Sequence, residues 1–341
     1  MRICVPVVPA TPAGGFQFLA SFERYLQANG HQVTLNLDDS YQILFANSWH
    51  VERDRILGGL RRNPDARVIH RIDGIAKDYG RHDDADSRQS RANRMADATI
   101  FQSAYSRYAA REKFNVIGHD GPVIHNPVDV NLFTPDGEKR ELPAGEKIAC
   151  VSWSTNPMKG APSVYAVAQA APDIQFILCG RYADVPNLPN IHQQGVLDRK
   201  PLAATLRACD VLLTFSRNEA CPNHVLEGLA SGLPVLYADS GATPELVGDS
   251  GMTVTESDFS EKFRSVLARR EALSRRARER ACEAFHPRII FSRYVEILEA
   301  TLAAPPTHGR GNRLTQAYAD LLYSPFRAAG RFIRYQARRF E

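Results

Sequence analysis

Hydrophobic and polar positions along this chain alternate between short apolar runs and longer stretches with helical periodicity. The runs ICVPVV, FILC and VLLTF have the length and composition of strands that are buried on both faces. Strands are predicted at residues 2–8, 32–37, 42–47, 67–72, 99–102 and 122–125, and then at 147–152, 175–179, 211–215 and 234–237. Helical patterns lie between most of them, for example at residues 16–28 and 87–96. This alternation predicts an α/β fold of βαβ units with parallel, helix-covered sheets.

A polar segment rich in proline and glycine separates the two series of strands. It reads FTPDGEKRELPAGE over residues 133–146, a composition typical of a linker. The second series is followed by a long helical pattern at residues 260–284, which ends before His286-Pro287. The sequence therefore predicts two domains, then a last globular helix, then a spacer and tail, over residues 1–142, 143–285, 286–304 and 305–341.

Composition and charge exclude several classes of protein. With 44% hydrophobic and 23% charged residues, the 341-residue chain is globular rather than disordered. The net charge of +4 is too small to indicate nucleic-acid binding. The cysteines form no CxxC pair, so structural zinc is not expected, and their apolar surroundings fit a reducing compartment. Prolines interrupt the N-terminal apolar stretch, and no run approaches the roughly 20 apolar residues of a membrane span. We therefore expect a cytoplasmic protein.

The C-terminal tail carries the excess positive charge of the chain. Residues 312–341 contain six arginines against Asp320 and Glu341, a local balance of 6 − 2 = +4. Four of these arginines recur at helical spacing beside an apolar stripe that contains Phe326, Ile333 and Phe340. The tail is therefore predicted to be an amphipathic helix. Two partners remain open for it, the surface of an anionic membrane and the surface of a protein.

The segment that carries most chemical information is SRNEACPNHVLEGLASGLPVLYAD, residues 216–239. It follows one predicted strand and precedes another, and Pro222 suits the first turn of a helix between them. The free N–H groups and positive dipole end of that helix would face the carboxyl edge of the sheet, where a diphosphate is stabilised. The residues predicted to bind such a ligand are Cys221, Pro222, Asn223 and His224. His224 is explained equally well as an ordinary residue on the helix surface.

Two glutamates in this segment lie eight residues apart, Glu219 before the helix and Glu227 within it. In the frame NEACPNHVLEGLASGLPVL they resemble the E-x7-E signature of retaining glycosyltransferases of family 4, which adopt the GT-B fold. The resemblance extends over about residues 1–300. It implies two Rossmann-like βαβ domains facing a central cleft, with a final globular helix that returns to the first domain. It also implies that Glu219 lies by the donor sugar and that Glu227 binds the nucleotide ribose.

The turn NPMKG follows the first strand of the second domain. Members of the family place a lysine before a glycine here, against the donor diphosphate. The resemblance therefore implies that Lys159 offsets the charge on the departing nucleotide. Many members also carry an arginine six residues earlier, where this chain has Trp153. We expect Arg181, after the strand FILCG, as a possible substitute in donor binding.

The first domain offers three further candidates. Gly14 and Gly15 follow the first predicted strand, where glycines form a tight turn or let the backbone approach a ligand. Their position, similar to the glycine-rich loop of the family, places them among the donor-binding residues. In VIHRIDGI, the resemblance places Asp73 nearest the sugar, and we take it as a catalytic residue with Glu219 and Lys159. Side-chain alternation puts Asp73 on one face of the strand and His70 on the other. A buried core histidine and a strand-end cap are the alternatives for these two.

Several polar and acidic residues are predicted to have purely structural roles. HDDAD contains a D-x-D pattern, Asp84 and Asp86, which in another glycosyltransferase fold holds a metal. Here it precedes a helical pattern, so acids at a helix N-terminus explain it better, and neither a metal nor another cofactor is expected. Asn126, Asp129 and Glu245 are expected in turns and caps.

Together these features predict a retaining, metal-independent glycosyltransferase. It would move a sugar from a UDP- or GDP-linked donor in the second domain to a hydroxyl of a glycan or glycolipid acceptor on the side of the first domain. Two alternatives share this two-domain outline, a bilobal sugar-binding protein without catalysis and a nucleotide-sugar epimerase. The paired glutamates argue against the epimerase. Receptors of the first kind are usually exported, whereas no export signal is recognised here.

Overall fold

The computed structural model of the protein describes residues 1–6 and 14–305, which contain two parallel β-sheets. The strands of the first sheet are β1 (Arg2–Cys4), β2 (Gln32–Thr34), β3 (Ile43–Asn47), β4 (Arg67–Ile72) and β5 (Ala98–Phe101). Their order is β2-β1-β3-β4-β5, and every pairing is parallel. The alternation of strands and helices in the sequence produces this arrangement because parallel neighbours need a crossover helix.

The second sheet has the same architecture. Its strands are β6 (Lys147–Ser152), β7 (Gln175–Gly180), β8 (Ile191–Gly195), β9 (Val211–Thr214), β10 (Val235–Tyr237) and β11 (Gly251–Thr253). Their order is β11-β10-β9-β6-β7-β8, again all parallel. Two Rossmann-like units are therefore present, and the predicted α/β class is confirmed.

Helices cover both faces of each sheet. Those associated with the first sheet are α1 (Gly14–Ala28), α2 (Arg53–Arg62), α3 (Ala85–Asn93) and α4 (Ala104–Tyr108), the last continued by a π-helical turn at Ala109–Lys113. Those of the second are α5 (Ala161–Ala170), α6 (Arg199–Arg207), α7 (Asn223–Ala230), α8 (Thr243–Val247), α9 (Phe259–Ala268) and α10 (Arg270–Ala284). Apolar clusters fill the space between helices and sheet on each face. Burial of these faces is the main source of stability.

The last described helix, α11 (Pro287–Ala303), packs on the first sheet although it follows the second along the chain. Phe291 and Tyr294 are fully buried there, in contact with the aromatic rings of Phe18 and Phe22 on α1. Aromatic clusters of this kind add specific geometry to apolar burial. The helix thereby links the end of the second unit to the core of the first.

Several elements differ from the sequence predictions. Strands β8 and β11 were not predicted because they lie at opposite edges of their sheet, where one side is exposed and no continuous apolar run is needed. Residues 122–125 form only an isolated bridge between Val123 and Phe101. The long helical pattern at residues 260–284 is divided into α9 and α10, with Arg269 between them outside helical geometry.

None of the six cysteines forms a disulfide, and five of them are buried. Within residues 1–6 and 14–305, no helix has the length and apolar character needed to cross a membrane. The predicted amphipathic tail lies outside the described residues.

Candidate active site

The carboxyl edges of the two sheets face a common cavity of about 570 Å³. Five residues that line it each come directly after a strand, namely Asp73 after β4, Gln102 after β5, Trp153 after β6, Arg181 after β7 and Val196 after β8. Ligands of open α/β sheets bind at this edge. The predicted site residues that line the cavity are Asp73, Lys159, Arg181, Glu219, Cys221, Pro222, Asn223, His224 and Glu227.

Gly14 and Gly15 belong to a helix in the structure. They form the first turn of α1 rather than a loop before it, which corrects the predicted helix boundary. Gln17, in the same turn, does line the cavity. The start of α1 therefore reaches the cleft, and a donor contact by the two glycines stays a prediction.

Lys159 is presented to the cavity by a tight turn between β6 and α5. Residues Pro157–Lys159 form one 3₁₀ turn, which Asn156 caps by accepting a hydrogen bond from the N–H of Met158. Gly160 follows at φ +71°, and a Cβ atom there would lie 2.4 Å from the carbonyl oxygen of Phe215. Only glycine allows both the left-handed conformation and this close approach. The backbone therefore requires Gly160, and the turn before it places Lys159 at the cleft.

A buried ion pair joins the two predicted catalytic residues of the second domain. Lys159 Nζ lies 2.7 Å from Glu219 Oε1, and the side chains are only 11% and 13% exposed. Burial alone would raise the pKa of Glu219 and lower that of Lys159. The attraction between the two charges outweighs this effect, so the pKa of Glu219 is lowered and that of Lys159 is raised. Both groups are charged at neutral pH, and their charges cancel.

Glu227 lies in the second turn of α7, and its electrostatic environment differs from that of Glu219. Its side chain is buried, and its Oε2 atom has no hydrogen-bond partner in the described part of the chain. Burial raises the pKa of Glu227 to about 7, although Arg199 acts to lower it. Buried polar atoms are nearly always paired, so an unpaired carboxylate at a cavity wall is suited to hydroxyl donors of a ligand.

The start of α7 forms the floor of the cleft between these glutamates. Pro222 occupies the N-cap position, and Asn223 accepts a hydrogen bond from Asn126 of the first domain. Burial raises the pKa of the Cys221 thiol to about 12, so this side chain is neutral. Residues 221–224 line the cavity, so the N-terminus of this helix lies at the cleft, where helix N-termini favour anions.

His224 is not a surface residue of the helix, so that alternative is wrong. It is only 2% exposed, and its Nε2 atom lies 3.1 Å from Thr214 Oγ1. Burial lowers the pKa of His224 to about 4, so it is neutral at physiological pH. Its ring can donate or accept one hydrogen bond but adds no positive charge to the cleft.

Asp73 faces the cleft from the first domain in a fixed orientation. Its Oδ1 atom accepts hydrogen bonds from Arg71 and Gln102. Arg71 is fully buried, stacks 3.8 Å from the ring centre of Phe18 and also binds Asn126. The charge of Asp73 is therefore compensated by Arg71 of the same domain. Its Oδ2 atom makes no hydrogen bond to a described residue.

His70 lies on the opposite face of β4, as side-chain alternation predicted. It is completely buried, its Nε2 atom donates to the carbonyl oxygen of Ser48 at 2.8 Å, and its Nδ1 atom accepts from Asn93. Burial lowers the pKa of His70 to about 4. This residue is a satisfied core histidine, which was one of the two interpretations of the sequence.

Sequence reasoning missed two residues that join the domains. Asn126 was expected in a turn, but its amide binds the carbonyl oxygen of Cys221 and the side chain of Asn223, and its oxygen accepts from Arg71. Tyr79 lines the cleft beside Lys159. Neither follows from local sequence, because each depends on contacts with the other domain.

The remaining acidic residues have structural roles. Asp129 accepts hydrogen bonds from two backbone N–H groups in its own turn. Glu245 caps α4 across the domain interface by accepting from the N–H groups of Ala104 and Tyr105. Asp86 uses both oxygens on backbone N–H groups of residues 76 and 77, and Asp84 pairs with Arg88. Within the described ranges, no three His, Cys, Asp or Glu side chains are arranged to hold a metal.

Two parallel-sheet domains that face a charged cleft have the architecture of GT-B glycosyltransferases, and comparisons with known proteins agree. Residues 161–269 match the family model described as glycosyl transferases group 1. The chain therefore carries a group 1 glycosyltransferase domain, and the resemblance inferred from its sequence is confirmed.

Curated relatives have moderate similarity to the chain. The D-inositol 3-phosphate glycosyltransferase of Corynebacterium glutamicum (strain R) is 26% identical over 255 residues, 63% of this chain and 60% of that protein. The MMP alpha-(1->4)-mannosyltransferase of Mycolicibacterium hassiacum is 28% identical over 240 residues, 63% of this chain and 57% of that protein. The matched regions thus span about three fifths of these relatives.

Solved structures show the same fold. A glycosyltransferase from Rickettsia africae superposes with a TM-score of 0.71 at 16% identity, covering 89% of this chain and 99% of that one. Anabaena Alr3699/HepE in complex with UDP and glucose gives a TM-score of 0.69 at 16% identity, covering 88% of this chain and 99% of that one. At this identity the likeness establishes architecture alone.

Proposed function

We propose that this protein is a retaining glycosyltransferase that moves a sugar from a UDP- or GDP-linked donor to a hydroxyl of a glycan or glycolipid acceptor. One observation carries the proposal. A buried Lys159–Glu219 pair and the unpaired carboxylate of Glu227 line one cleft at the carboxyl edges of two parallel sheets. The names of the relatives, and the UDP and glucose bound to the Anabaena structure, support the substrate class.

The donor would lie along the start of α7. The ribose hydroxyls would donate to Glu227, which has no other partner among the described residues for its Oε2 atom. The diphosphate would accept from the N–H groups at the start of α7 and from Lys159. An ammonium has three N–H donors, and Glu219 accepts one of them at 2.7 Å. The ammonium can use its remaining donor capacity to stabilise charge as it develops on the departing nucleoside diphosphate.

Glu219 would lie by the donor sugar, and Asp73 would orient the sugar or acceptor from the first domain. Asp73 is suited to this role because Arg71 and Gln102 fix its Oδ1 atom. Arg181 is exposed at the cleft and would supply a second cation for the donor. No divalent cation is required in this scheme, since protein donors meet the charge of the diphosphate, and no cofactor is involved.

Acceptor-dependent release of nucleoside diphosphate tests the proposal. UDP, GDP and ADP are first compared for thermal stabilisation of the full chain, and the matching nucleotide sugars are then offered with a panel of glycan and glycolipid acceptors. We expect one nucleotide to stabilise the protein and its sugar to be transferred with retention. Stabilisation without release would indicate a binding protein. Interconversion of nucleotide sugars without an acceptor would indicate an epimerase.

We further propose that the enzyme works at the cytoplasmic face of a membrane, held there by its arginine-rich tail. Each arginine near an anionic bilayer contributes on the order of 1 kcal/mol, and the apolar stripe with Phe326 and Phe340 adds insertion. The absence of disulfides among the six cysteines fits a reducing compartment. Such a position would bring the cleft to a lipid-linked acceptor.

Vesicle co-sedimentation tests the tail. The full chain should bind vesicles that contain anionic lipid, and this binding should weaken as the salt concentration rises. It should not bind neutral vesicles. A chain that ends at Ala304 should stay in the supernatant. If the full chain stays there too at low salt, the tail packs on protein instead.

A further inference from the structure

A segment of the first domain, residues 74–80, reaches across the cleft to the turns that carry the Lys159–Glu219 pair. The carbonyl oxygen of Asp78 accepts a hydrogen bond from Asn218, the residue before Glu219, at 2.9 Å. The carbonyl oxygen of Tyr79 accepts from Asn156, in the turn that presents Lys159, at 3.2 Å. Both partners belong to the second domain. The turns that carry Lys159 and Glu219 therefore also position residues 74–80.

The same segment is also held from behind by the first domain. The buried carboxylate of Asp78 accepts from the hydroxyl of Tyr105 and from the ammonium of Lys113, each at 2.6 Å. Lys113 lies in the π-helical turn that follows α4, a local irregularity of the kind common at functional sites. Residues 74–80 are therefore fixed on both sides, and Tyr79 has little freedom to move.

Tyr79 projects into the cleft beside the ion pair. Lys159 Nζ lies over its ring, 5.8 Å from the centre. The Tyr79 hydroxyl is buried, and its proton has no acceptor in the described part of the chain, because the neighbouring ammonium of Lys159 can only donate to the hydroxyl oxygen. Burial and the charge of Glu219 raise the pKa of Tyr79 to about 12, although Lys159 acts to lower it, so the hydroxyl keeps its proton. A buried donor without an acceptor is costly to a protein unless a ligand uses it.

We propose that Tyr79 completes an anion-binding corner with Lys159, in which its hydroxyl donates to an oxygen of the same phosphate group that the ammonium holds. This inference rests on the proposed function and assigns a further residue to the diphosphate. A neutral donor suits this place because Glu219 already balances the charge of Lys159. The corner also links the domains, since Tyr79 belongs to the first and Lys159 to the second.

Calorimetric titration of the full chain with inorganic pyrophosphate, and with the nucleoside diphosphate that stabilises it most, tests the corner. Tyr79→Phe keeps the ring over Lys159 and removes only the hydroxyl. We expect its affinity for both ligands to fall about tenfold, the loss of one hydrogen bond to a charged group. Affinity for the free nucleoside, which has no phosphate, should not change. The melting temperature without ligand should change little, because Tyr79→Phe also removes a buried hydroxyl proton that has no acceptor.

Tyr41→Phe is the matched control. Tyr41 is in the same domain and also has a buried hydroxyl, but it does not line the cleft. We expect wild-type affinities for this variant. Equal binding of pyrophosphate by Tyr79→Phe and the wild type would overturn the corner, as would an equal loss in both variants.

The failure of this inference is distinguishable from failure of the proposed function. Sugar transfer with wild-type pyrophosphate affinity in Tyr79→Phe overturns the corner alone. Tyr79-dependent pyrophosphate binding without any sugar transfer supports the corner and contradicts the glycosyltransferase. A wild-type chain that binds neither pyrophosphate nor any nucleoside diphosphate contradicts both.

Discussion

Glu219 and Glu227 lie eight residues apart, and both line the same cleft, yet their electrostatic environments are opposite. Glu219 is paired with Lys159 at 2.7 Å, and its pKa is lowered. Glu227 has an unpaired oxygen, and burial raises its pKa to about 7. Burial penalises both carboxylates, but only the first has a cation close enough to overcome the penalty.

This difference separates two functions within one segment. The charge of Glu219 is compensated inside the protein, so the Lys159–Glu219 pair is complete before a ligand arrives. The carboxylate of Glu227 becomes satisfied only when a ligand supplies donors. In the proposed mechanism, Glu219 therefore supplies preorganised electrostatics and Glu227 supplies ligand recognition.

The largest effect is expected from Lys159→Ala. It leaves Glu219 buried without its cation, which destabilises proteins by about 3–5 kcal/mol, and it removes a donor to the leaving group, which lowers kcat about 100- to 1,000-fold. Thermal unfolding and acceptor-dependent nucleotide release measure the two effects. The exposed Lys139 gives a control, Lys139→Ala, for which neither quantity should change.

The double variant Lys159→Met with Glu219→Gln sharpens this prediction. Removing both charges should recover much of the stability that Lys159→Ala loses, because no uncompensated charge stays buried. Activity should not recover. Recovery of both would mean that the pair is structural and has no part in the reaction.

The next largest effect is expected from Glu227→Ala on nucleotide affinity. If Glu227 accepts the ribose hydroxyls, the variant leaves them unpaired and costs about 1–3 kcal/mol, which is about 5- to 150-fold in Kd. Calorimetry with the preferred nucleoside diphosphate measures this loss. Affinity for inorganic pyrophosphate, which has no ribose, should be unchanged, and a folded variant with wild-type nucleotide affinity would remove Glu227 from the site.

Glu227 should also lower the stability of the ligand-free protein at neutral pH. Because burial raises its pKa from 4.5 to about 7, the folded state keeps a proton that the unfolded state releases. The free energy of unfolding therefore falls as pH rises from 4.5 to 7 and stays lower above 7. Glu227→Gln abolishes this decrease, so its stability relative to the wild type should rise between pH 4 and pH 8 by at most about 3 kcal/mol. Chemical denaturation at both pH values checks the sign, and a parallel pH dependence in the two proteins would contradict it.

The smallest expected effect is that of chelation. In the proposed scheme the diphosphate is met by Lys159 and backbone N–H groups, so EDTA should leave the rate of transfer unchanged. Complete loss on chelation, restored by magnesium or manganese, would show that the protein does not supply the compensation by itself.

Local sequence predicted the segment around the two glutamates because its elements are consecutive. A strand, a proline at the helix start and Gly232 after its end define one βαβ crossover, and α7 indeed runs from Asn223 to Ala230. The turn that presents Lys159 is equally local. In both cases a few neighbouring residues determine the backbone, and so the position of the side chain at the edge of the sheet.

Contacts between residues that are far apart in the sequence could not be predicted from local patterns. Arg71 binds Asn126, 55 positions away, and Asn218 binds the backbone of Asp78, 140 positions away. The hydrogen bond of His224 likewise involves Thr214, on the neighbouring strand. Edge strands such as β8 were not predicted for another reason. A half-exposed strand needs no continuous apolar run, so its sequence carries no strong strand signal. Periodicity therefore predicts the fold better than it predicts the partners within the site.

Proton release on nucleotide binding tests the contrast between the two glutamates most directly. With its pKa at about 7, Glu227 is protonated in about half of the molecules at pH 7, and hydroxyl donors favour its ionised form. Calorimetry at pH 7 in buffers of different ionisation enthalpy counts the protons released, and Glu227→Gln subtracts those that come from the nucleotide. We predict that the wild type releases about half a proton more per nucleoside diphosphate than Glu227→Gln. Equal release by the two proteins would contradict the proposal that Glu227 accepts hydrogen bonds from the ribose hydroxyls.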